Sequence, residues 1–322
     1  MSEHIIRLEV MERIGRDIRK AAVTMGAKQA RHLVDAYYQM QDNRKRAASQ
    51  ELSMEDEPHA VVSWLKAQAL SLENSVKSAL GAYAKASELG VWAMSINGIG
   101  PVIAAGLLAH IDLVRADTVG KIWRFAGLDS TVRWAKQKQC KKWLNEQDTK
   151  DVNVLIVRAC DYWGRKESTL RRLTVTDGKG NKRALSVDNL AKAIARRPWN
   201  GSLKTLCWKI GNSFVRASKS DNDIYGKLYY ERKELETRRN EAGEFAEQAA
   251  RIAKDRPDHK QIKTYKKGML PDGHIDMRAK RYVAKLFLAH YHEKGRKIMG
   301  LPVPNPYPID HLGHAHKIDP PA

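Results

Sequence analysis

The sequence has little of what defines secreted, membrane-spanning or disulfide-stabilised proteins. Its three cysteines, Cys140, Cys160 and Cys207, are odd in number and widely spaced, so we expect free thiols in a reducing compartment. No apolar run approaches the roughly 18–20 residues that a membrane span needs. Charges throughout the first residues argue against a signal peptide, and the last residues form no lipidation box. We therefore expect a cytoplasmic protein with no membrane attachment.

Common catalytic and metal-binding motifs are also missing. The sequence contains no Cys-x-x-Cys pair, P-loop, Gly-x-Ser-x-Gly elbow or His-Glu-x-x-His motif. The tail holds His311, His314 and His316 beside Asp310, a spacing that can chelate zinc. A His-rich tail without cysteines is a weak zinc signal, however. We therefore predict neither a metal ion nor a cofactor.

Acidic residues are scarce relative to basic ones: 37 Asp and Glu stand against 57 Lys and Arg, and the net charge is +20. Such an excess causes self-repulsion in a compact chain and is typical of proteins that bind a polyanion. Nucleic acid is the first candidate. An anionic membrane is the second, with no apolar segment to support it.

The most specific motif lies at residues 93–112, where an apolar residue precedes Asn97-Gly98-Ile99-Gly100-Pro101 and an alanine-rich helix follows. Gly98 and Gly100 permit a tight turn with positive φ and a close approach to the backbone. Ile99 would pack between two helices, and Pro101 suits the first turn of the second. Free amides at that helix start, with the helix dipole, can hold a DNA phosphate. The alternative is an ordinary turn between core helices. The candidate DNA-binding residues here are Asn97, Gly98, Ile99, Gly100 and Val102.

Hydrophobic periodicity predicts a mainly α fold, with a helical bundle or coiled coil followed by a helix-hairpin-helix DNA-binding domain that carries a small inserted β-hairpin. We expect the bundle at 1–90, the helix-hairpin-helix domain at 91–215 with its insertion at 131–195, long helices at 216–299, and a Pro- and His-rich tail at 300–322. Individual helices are expected at 3–22, 28–46, 59–89, 118–126, 150–158, 203–215, 222–254 and 277–298, with a linker at 49–58 and a helix capped by Ser186.

The insertion is basic and rich in aromatic residues. Its β-hairpin would pair Leu173 and Val175 with Ala184 and Leu185 across a turn at 177–181, and its tip could enter a DNA groove or remain on the surface. The candidate phosphate-binding side chains of this region are Arg124, Arg133, Lys138, Lys141, Lys142, Lys182 and Arg183. Trp163, Trp199 and Trp208 are expected in the core; Trp134 and Trp143 are open to either core packing or base stacking.

Three segments together resemble a known family. NGIGPVIAAGLLAHID at 97–112, IWRFAGLD at 122–129 and LKTLCWKIGNSFV at 203–215 look like the C-terminal half of the RuvC-like DEDD insertion-sequence transposases of bacteria. The resemblance implies DNA binding by a helix-hairpin-helix, an N-terminal nuclease domain with four acidic ligands, and a serine nucleophile. The first 90 residues show no such acidic set, and the family's Ser-Gly-Gly-Lys stretch is replaced by Gly127-Leu128-Asp129-Ser130-Thr131. Ser130 could be a remnant nucleophile or a turn cap.

These patterns favour sequence-tolerant binding of duplex DNA through its phosphates, in transposition or recombination of a mobile element or phage, by a protein near the bacterial nucleoid. Catalysis is not predicted. One alternative is an active DNA recombinase that uses a serine such as Ser130. Another is an RNA-binding component of a ribonucleoprotein. The N-terminal helices could form a plain bundle or a homo-oligomer contact.

Overall fold

The computed structural model describes residues 16–54, 60–219, 223–305 and 317–321. These residues form fifteen helices and no strand, which confirms the mainly α fold. The chain divides into two compact units: Met1–Ile122 with Thr205–Ala322, and Trp123–Lys204. The helices are α1 Arg16–Val23, α2 Ala27–Ser53, α3 Ala60–Lys85, α4 Glu88–Ser95, α5 Pro101–His110, α6 Val119–Phe125, α7 Gln137–Asn145, α8 Val152–Trp163, α9 Glu167–Val175, α10 Val187–Ala195, α11 Gly201–Ala217, α12 Tyr225–Glu241, α13 Ala246–Asp255, α14 Ile262–Lys266 and α15 Asp272–Ile298.

The two long N-terminal helices, α2 and α3, run antiparallel. Arg44 of α2 donates from Nε to Glu73 of α3 at 2.6 Å, and nearer the α2–α3 connection Ser63 donates to Glu51 at 2.7 Å. Burial alone would raise the pKa of Glu73, but hydrogen bonds from Arg44 and Gln41 lower it overall. The expected linker at 49–58 is wrong at its start, because α2 continues through Ser53. Residues 55–59 lie outside the described residues, as does most of the helix expected at 3–22.

The helix predicted at 59–89 is two helices. α3 ends at Lys85, and Ser87 is the extended N-cap residue of α4. The chain turns so sharply here that a Cβ on Gly90 would lie 2.1 Å from the carbonyl oxygen of Ala84. This close approach requires glycine at position 90, and hydrophobic periodicity does not reveal the break between the two helices.

The C-terminal part of the first unit is built on α15. An aromatic cluster of Phe214, Tyr225 and Phe287 joins α11, α12 and α15, with Phe214 and Tyr225 stacked at 4.5 Å. The single helix predicted at 222–254 is wrong: α12 ends at Glu241, and Gly243 with φ +80° makes the turn into α13. A positive φ is a conformation that glycine adopts without strain.

The second unit has its own core, formed by α7, α8, α9 and α10. Its buried residues include Leu144, Ile156, Leu170 and Leu190. Ser186 caps α10 as predicted, because its side chain accepts a hydrogen bond from the amide of Asn189 at 3.2 Å.

The predicted β-hairpin is wrong. Its first arm is the end of α9, where Leu170 and Thr174, four residues apart, are both buried on one helix face. A short apolar run does not by itself distinguish a strand from a buried helix segment. What remains of the hairpin is one isolated bridge between Thr176 and Lys182, across a turn in which Asp177 accepts hydrogen bonds from the amides at 179 and 181.

None of the helices in the described part of the chain is long and apolar enough to span a lipid bilayer.

Candidate nucleic-acid interface

Residues 96–100 form a tight turn that joins α4 to α5. The amide of Ile99 donates to the carbonyl of Ile96 at 2.9 Å, and Gly98 has φ +92°, as predicted. Ile99 is 3% exposed, and Pro101 is the first residue of α5. The expected positive φ at Gly100 is wrong: Gly100 is an extended N-cap residue with φ −86° and ψ 176°. A compact helix–turn–helix unit therefore presents the start of α5.

Helix α11 fixes the position of this turn. The hydroxyl of Ser213 donates to the carbonyl of Gly98 at 2.6 Å, and the amide nitrogen of Asn97 donates to the carbonyl of Ala217 at 3.3 Å. A Cβ on Gly98 would lie 3.1 Å from the ring of Phe214. Asn97, a candidate DNA-binding residue, thus already uses its side-chain amide to hold the end of α11.

The small residues of α5 permit close packing, as the sequence predicts. Ala104 and Ala105 are fully buried, and a Cβ on Gly106 would lie 2.7 Å from a methyl group of Leu206. At the other end of α5, Arg31 donates to the carbonyl of Ala109 at 2.7 Å. Helix α5 is therefore anchored at both ends and along its length.

An open cleft of about 550 Å³ lies against the start of α5. Its walls come from α2, α3, the 96–100 turn, the first residues of α5 and the outer face of α11. Gly98, Gly100 and Val102, three of the five candidate residues of the motif, line it. The fold thus gathers at one concavity four segments that are far apart in the sequence.

The cleft is strongly basic. Among the described residues that line it there is no carboxylate, and the cations are Lys45, Lys77, Lys209 and Arg216. The Lys209 ammonium group lies 3.6 Å from the centre of the Tyr38 ring, a cation–π contact. Burial lowers the pKa of Lys209, and the neighbouring Lys45 and Arg216 lower it further against the opposing effect of Asp42. An anion in the cleft would relieve this repulsion.

Backbone amides add to the positive potential of the cleft. The first amides of an α-helix have no partner within the helix, and the helix dipole places partial positive charge at the same end. Val102 and Ile103 occupy these positions in α5 and line the cleft. Gly100 precedes them, is exposed, and has no atom within 4 Å of where a Cβ would stand. A ligand can therefore approach the start of α5 directly.

Trp208 lies on the same cleft and is 53% exposed. The expectation that it belongs to the core is wrong. Its place on α11 follows from helical spacing, because Trp208, Asn212 and Arg216 are four residues apart and all line the cleft.

The candidate cations at 124–183 belong to the second unit, whereas the five candidate residues of the motif at 97–102 belong to the first. Arg124, Lys138 and Lys182 are exposed. Lys141 pairs with Asp188 at 2.8 Å, and Lys142 lies 3.8 Å from Glu146.

The two remaining candidate arginines bind their own unit. Arg133 donates to the carbonyl of Tyr162 at 3.1 Å and covers the ring of that tyrosine. Arg183 is half-buried and donates to the carbonyls of Thr176 and Leu173. Both therefore stabilise the second unit in addition to any contact with a ligand.

The tryptophans of the second unit are packed. Trp163 is 8% exposed, and Trp143 stacks on Tyr162 with the ring centres 5.0 Å apart. Trp134 donates to the carbonyl of Ala195 at 2.8 Å and meets the edge of Trp199. Packing thus accounts for Trp134 and Trp143, the two positions that the sequence leaves open.

Ser130 is exposed, next to an Asp129 carboxylate that accepts hydrogen bonds from the amide and hydroxyl of Thr131. This local geometry is that of a turn. Over the described ranges there is no group of three metal-ligating side chains. The tail cluster at 310–316 lies outside them.

Sequence reasoning missed the four cations of the cleft. They come from α2, α3 and α11, and no local motif links them. The overall charge of +20 was the one signal, and it does not locate them.

Comparison with known families adds a second kind of information. Residues 92–173 match the sequence model of the transposase IS116/IS110/IS902 family. The match begins at Trp92 in α4, includes the 96–100 turn and α5, and covers about a quarter of the chain. No curated protein and no solved structure matches the chain. Over this segment the chain is transposase-like, which confirms the expected resemblance to insertion-sequence transposases at that level.

Proposed function

We propose that this protein binds DNA during transposition of a mobile element, and that the cleft at the start of α5 holds a phosphate of the DNA backbone. The match at 92–173 supports a role in transposition, since DNA is the substrate of a transposase. The contacts would be with the phosphate backbone, which positions a protein without selecting a sequence. Binding would therefore be tolerant of sequence.

The exposed and unobstructed backbone at Gly100 is the observation that carries the proposal. Its φ of −86° is accessible to every residue type, and no neighbouring atom excludes a side chain. Neither backbone strain nor packing therefore requires glycine. Serine or aspartate would cap a helix at least as well. The effect of glycine here is a bare surface beside the amides of Val102 and Ile103, where a phosphate oxygen can approach.

The charge of the cleft supports the same ligand. Four cationic residues and the two residues that follow Pro101 in α5 line one concavity, and no described carboxylate lines it. A phosphate diester carries one negative charge, so neighbouring phosphates of a strand could each meet a separate cation. We also propose that α4, the 96–100 turn and α5 correspond to the helix-hairpin-helix of a RuvC-like transposase.

Salt dependence tests this proposal. We expect the affinity of the full chain for duplex DNA to fall steeply as the salt concentration rises. The Lys209→Gln/Arg216→Gln variant should bind less tightly. Its plot of log affinity against log salt should have a slope that is smaller in magnitude by about 1–2. The matched control is Lys254→Gln/Arg238→Gln, which removes two exposed cations outside the cleft. Equal slopes for the two double variants would contradict the proposal.

A further inference from the structure

Trp208 has an exposure that packing does not explain. All eight tryptophans lie in the described residues, and the other seven are buried or half-buried. Trp208 leaves 53% of its surface exposed and lines the basic cleft. Aromatic side chains beside a few convergent polar groups in a concave site are typical of ligand-binding sites.

We propose that Trp208 stacks on an unpaired DNA base, so that the cleft accepts one nucleotide that has left the duplex. This inference rests on the proposed function and names the substrate form that the site takes. Aromatic side chains bind single-stranded nucleic acid by stacking, and any of the four bases offers a suitable face. Bases within a duplex are already stacked on one another and offer no such face.

The outer face of α11 provides what a single nucleotide would need. Trp208, Asn212 and Arg216 form one row along the helix. They offer an aromatic plane for the base, an amide for a base edge or sugar, and a guanidinium for a phosphate. Asn212 donates to the carbonyl of Trp208 at 2.9 Å, which leaves its side-chain oxygen to accept a hydrogen bond.

The size of the cleft agrees with this ligand. A volume of about 550 Å³ falls in the range of small-molecule sites and suits a nucleotide, whereas a whole duplex can only lie across the opening. Lys209 already covers the ring of Tyr38, so among the cleft's aromatic residues Trp208 offers the accessible face. A site of this kind would hold the unpaired base next to the bound phosphate.

The test is equilibrium binding of the full chain, followed by fluorescence anisotropy, to a duplex and to the same duplex with one unpaired thymine at its centre. We expect wild-type protein to prefer the bulged duplex. Trp208→Leu should lose about tenfold in affinity for the bulged form and keep its affinity for the plain duplex. Trp208→Phe should retain most of the preference. Tyr230→Leu, which removes a similarly exposed aromatic outside the cleft, is the control and should bind as wild type does.

Each other outcome overturns a different claim. A Trp208→Leu variant that keeps the preference, or that loses affinity for both duplexes equally, refutes stacking and leaves phosphate binding intact. Tighter binding of a bulged RNA duplex than of bulged DNA refutes the choice of DNA. Failure of the wild-type protein to bind either DNA refutes the proposed function itself. Circular dichroism spectra must match wild type for each variant.

Discussion

The hydroxyl of Ser213 on α11 donates a 2.6 Å hydrogen bond to the carbonyl of Gly98, the turn residue with positive φ. These residues are 115 positions apart, and this bond helps to fix the start of α5 against the face of α11 that carries the cleft's aromatic and basic side chains. The basic cleft therefore depends on contacts between distant segments as well as on the local turn motif.

Replacing Gly98 by alanine should destabilise the fold. A non-glycine residue at φ +92° is strained by about 1–2 kcal/mol, and its Cβ would also approach the ring of Phe214 to 3.1 Å. We expect the free energy of unfolding in urea to fall by about 2 kcal/mol or more. Gly178→Ala, in open space on the second unit without a positive φ, should change it by less than about 0.5 kcal/mol. Equal stability of the two variants would contradict the turn geometry.

Glu236 is a buried carboxylate that neutralises neighbouring arginines of α12 and α15. It is 1% exposed and accepts a hydrogen bond from Nε of Arg278 at 2.6 Å, and it also pairs with Arg232. Burial alone would raise its pKa, but the two arginines lower the pKa overall. Glu236→Gln removes the charge and leaves the guanidiniums without a counter-ion. We expect the free energy of unfolding to fall by about 2–3 kcal/mol. The partial exposure of both arginines keeps this loss below that of a fully buried ion pair.

The control for this prediction is Glu234→Gln on the same helix. Glu234 is exposed and lies 4.0 Å from Arg238, so its loss should cost less than about 0.5 kcal/mol. A similar effect for both variants, measured by urea denaturation near neutral pH, would show that the buried ion pairs do not stabilise the contact between α12 and α15.

Local signals account for what the sequence predicted well. Pro101 at the first turn of α5, Gly98 in the turn and Ser186 before α10 each act through their own backbone or side-chain geometry. The failures depend on tertiary contacts. Leu173 belongs to a helix whose Leu170 packs in one core with residues of α10, and no short-range pattern reveals that contact.

The candidate site was predicted only in part for the same reason. The motif gave the glycines and the start of α5, which line the cleft. Lys45, Lys77 and Lys209 belong to other helices and reach the cleft only through folding. Exposure of Trp208 was likewise not predictable, since an apolar residue on an amphipathic helix is typically buried.

Acidification should destabilise the protein through His290. Burial lowers the pKa of His290, which lies 2.6 Å from the hydroxyl of Tyr225 through Nδ1 and 2.8 Å from the carbonyl of Ile318 through Nε2. In the unfolded chain the same imidazole takes up a proton near pH 6.5. The stability is therefore complete above that pH and falls as the pH drops towards the lowered folded value.

Urea unfolding between about pH 8 and pH 5.5 measures this effect. His290→Gln should be less stable than wild type near pH 8 and should lose less stability on acidification. His32→Gln, on an exposed position of α2, should follow the wild-type curve. A wild-type curve that is flat over this range would contradict a neutral, buried His290.

The most direct test of phosphate binding at the cleft is the replacement of Gly100 by leucine. Gly26, the N-cap residue of α2, is the matched control because its φ of −77° and ψ of 160° are close to those of Gly100, and it does not line the cleft. Leucine should therefore cost each helix about the same in capping, on the order of 1 kcal/mol or less.

Only at Gly100 would the new side chain fill the approach to the amides of α5. Duplex-DNA affinity of the full chain at low salt is the quantity to measure, with circular dichroism to confirm that both variants fold. We predict a loss of tenfold or more for Gly100→Leu and wild-type affinity for Gly26→Leu. A folded Gly100→Leu protein that binds DNA as tightly as wild type would show that the phosphate is held elsewhere.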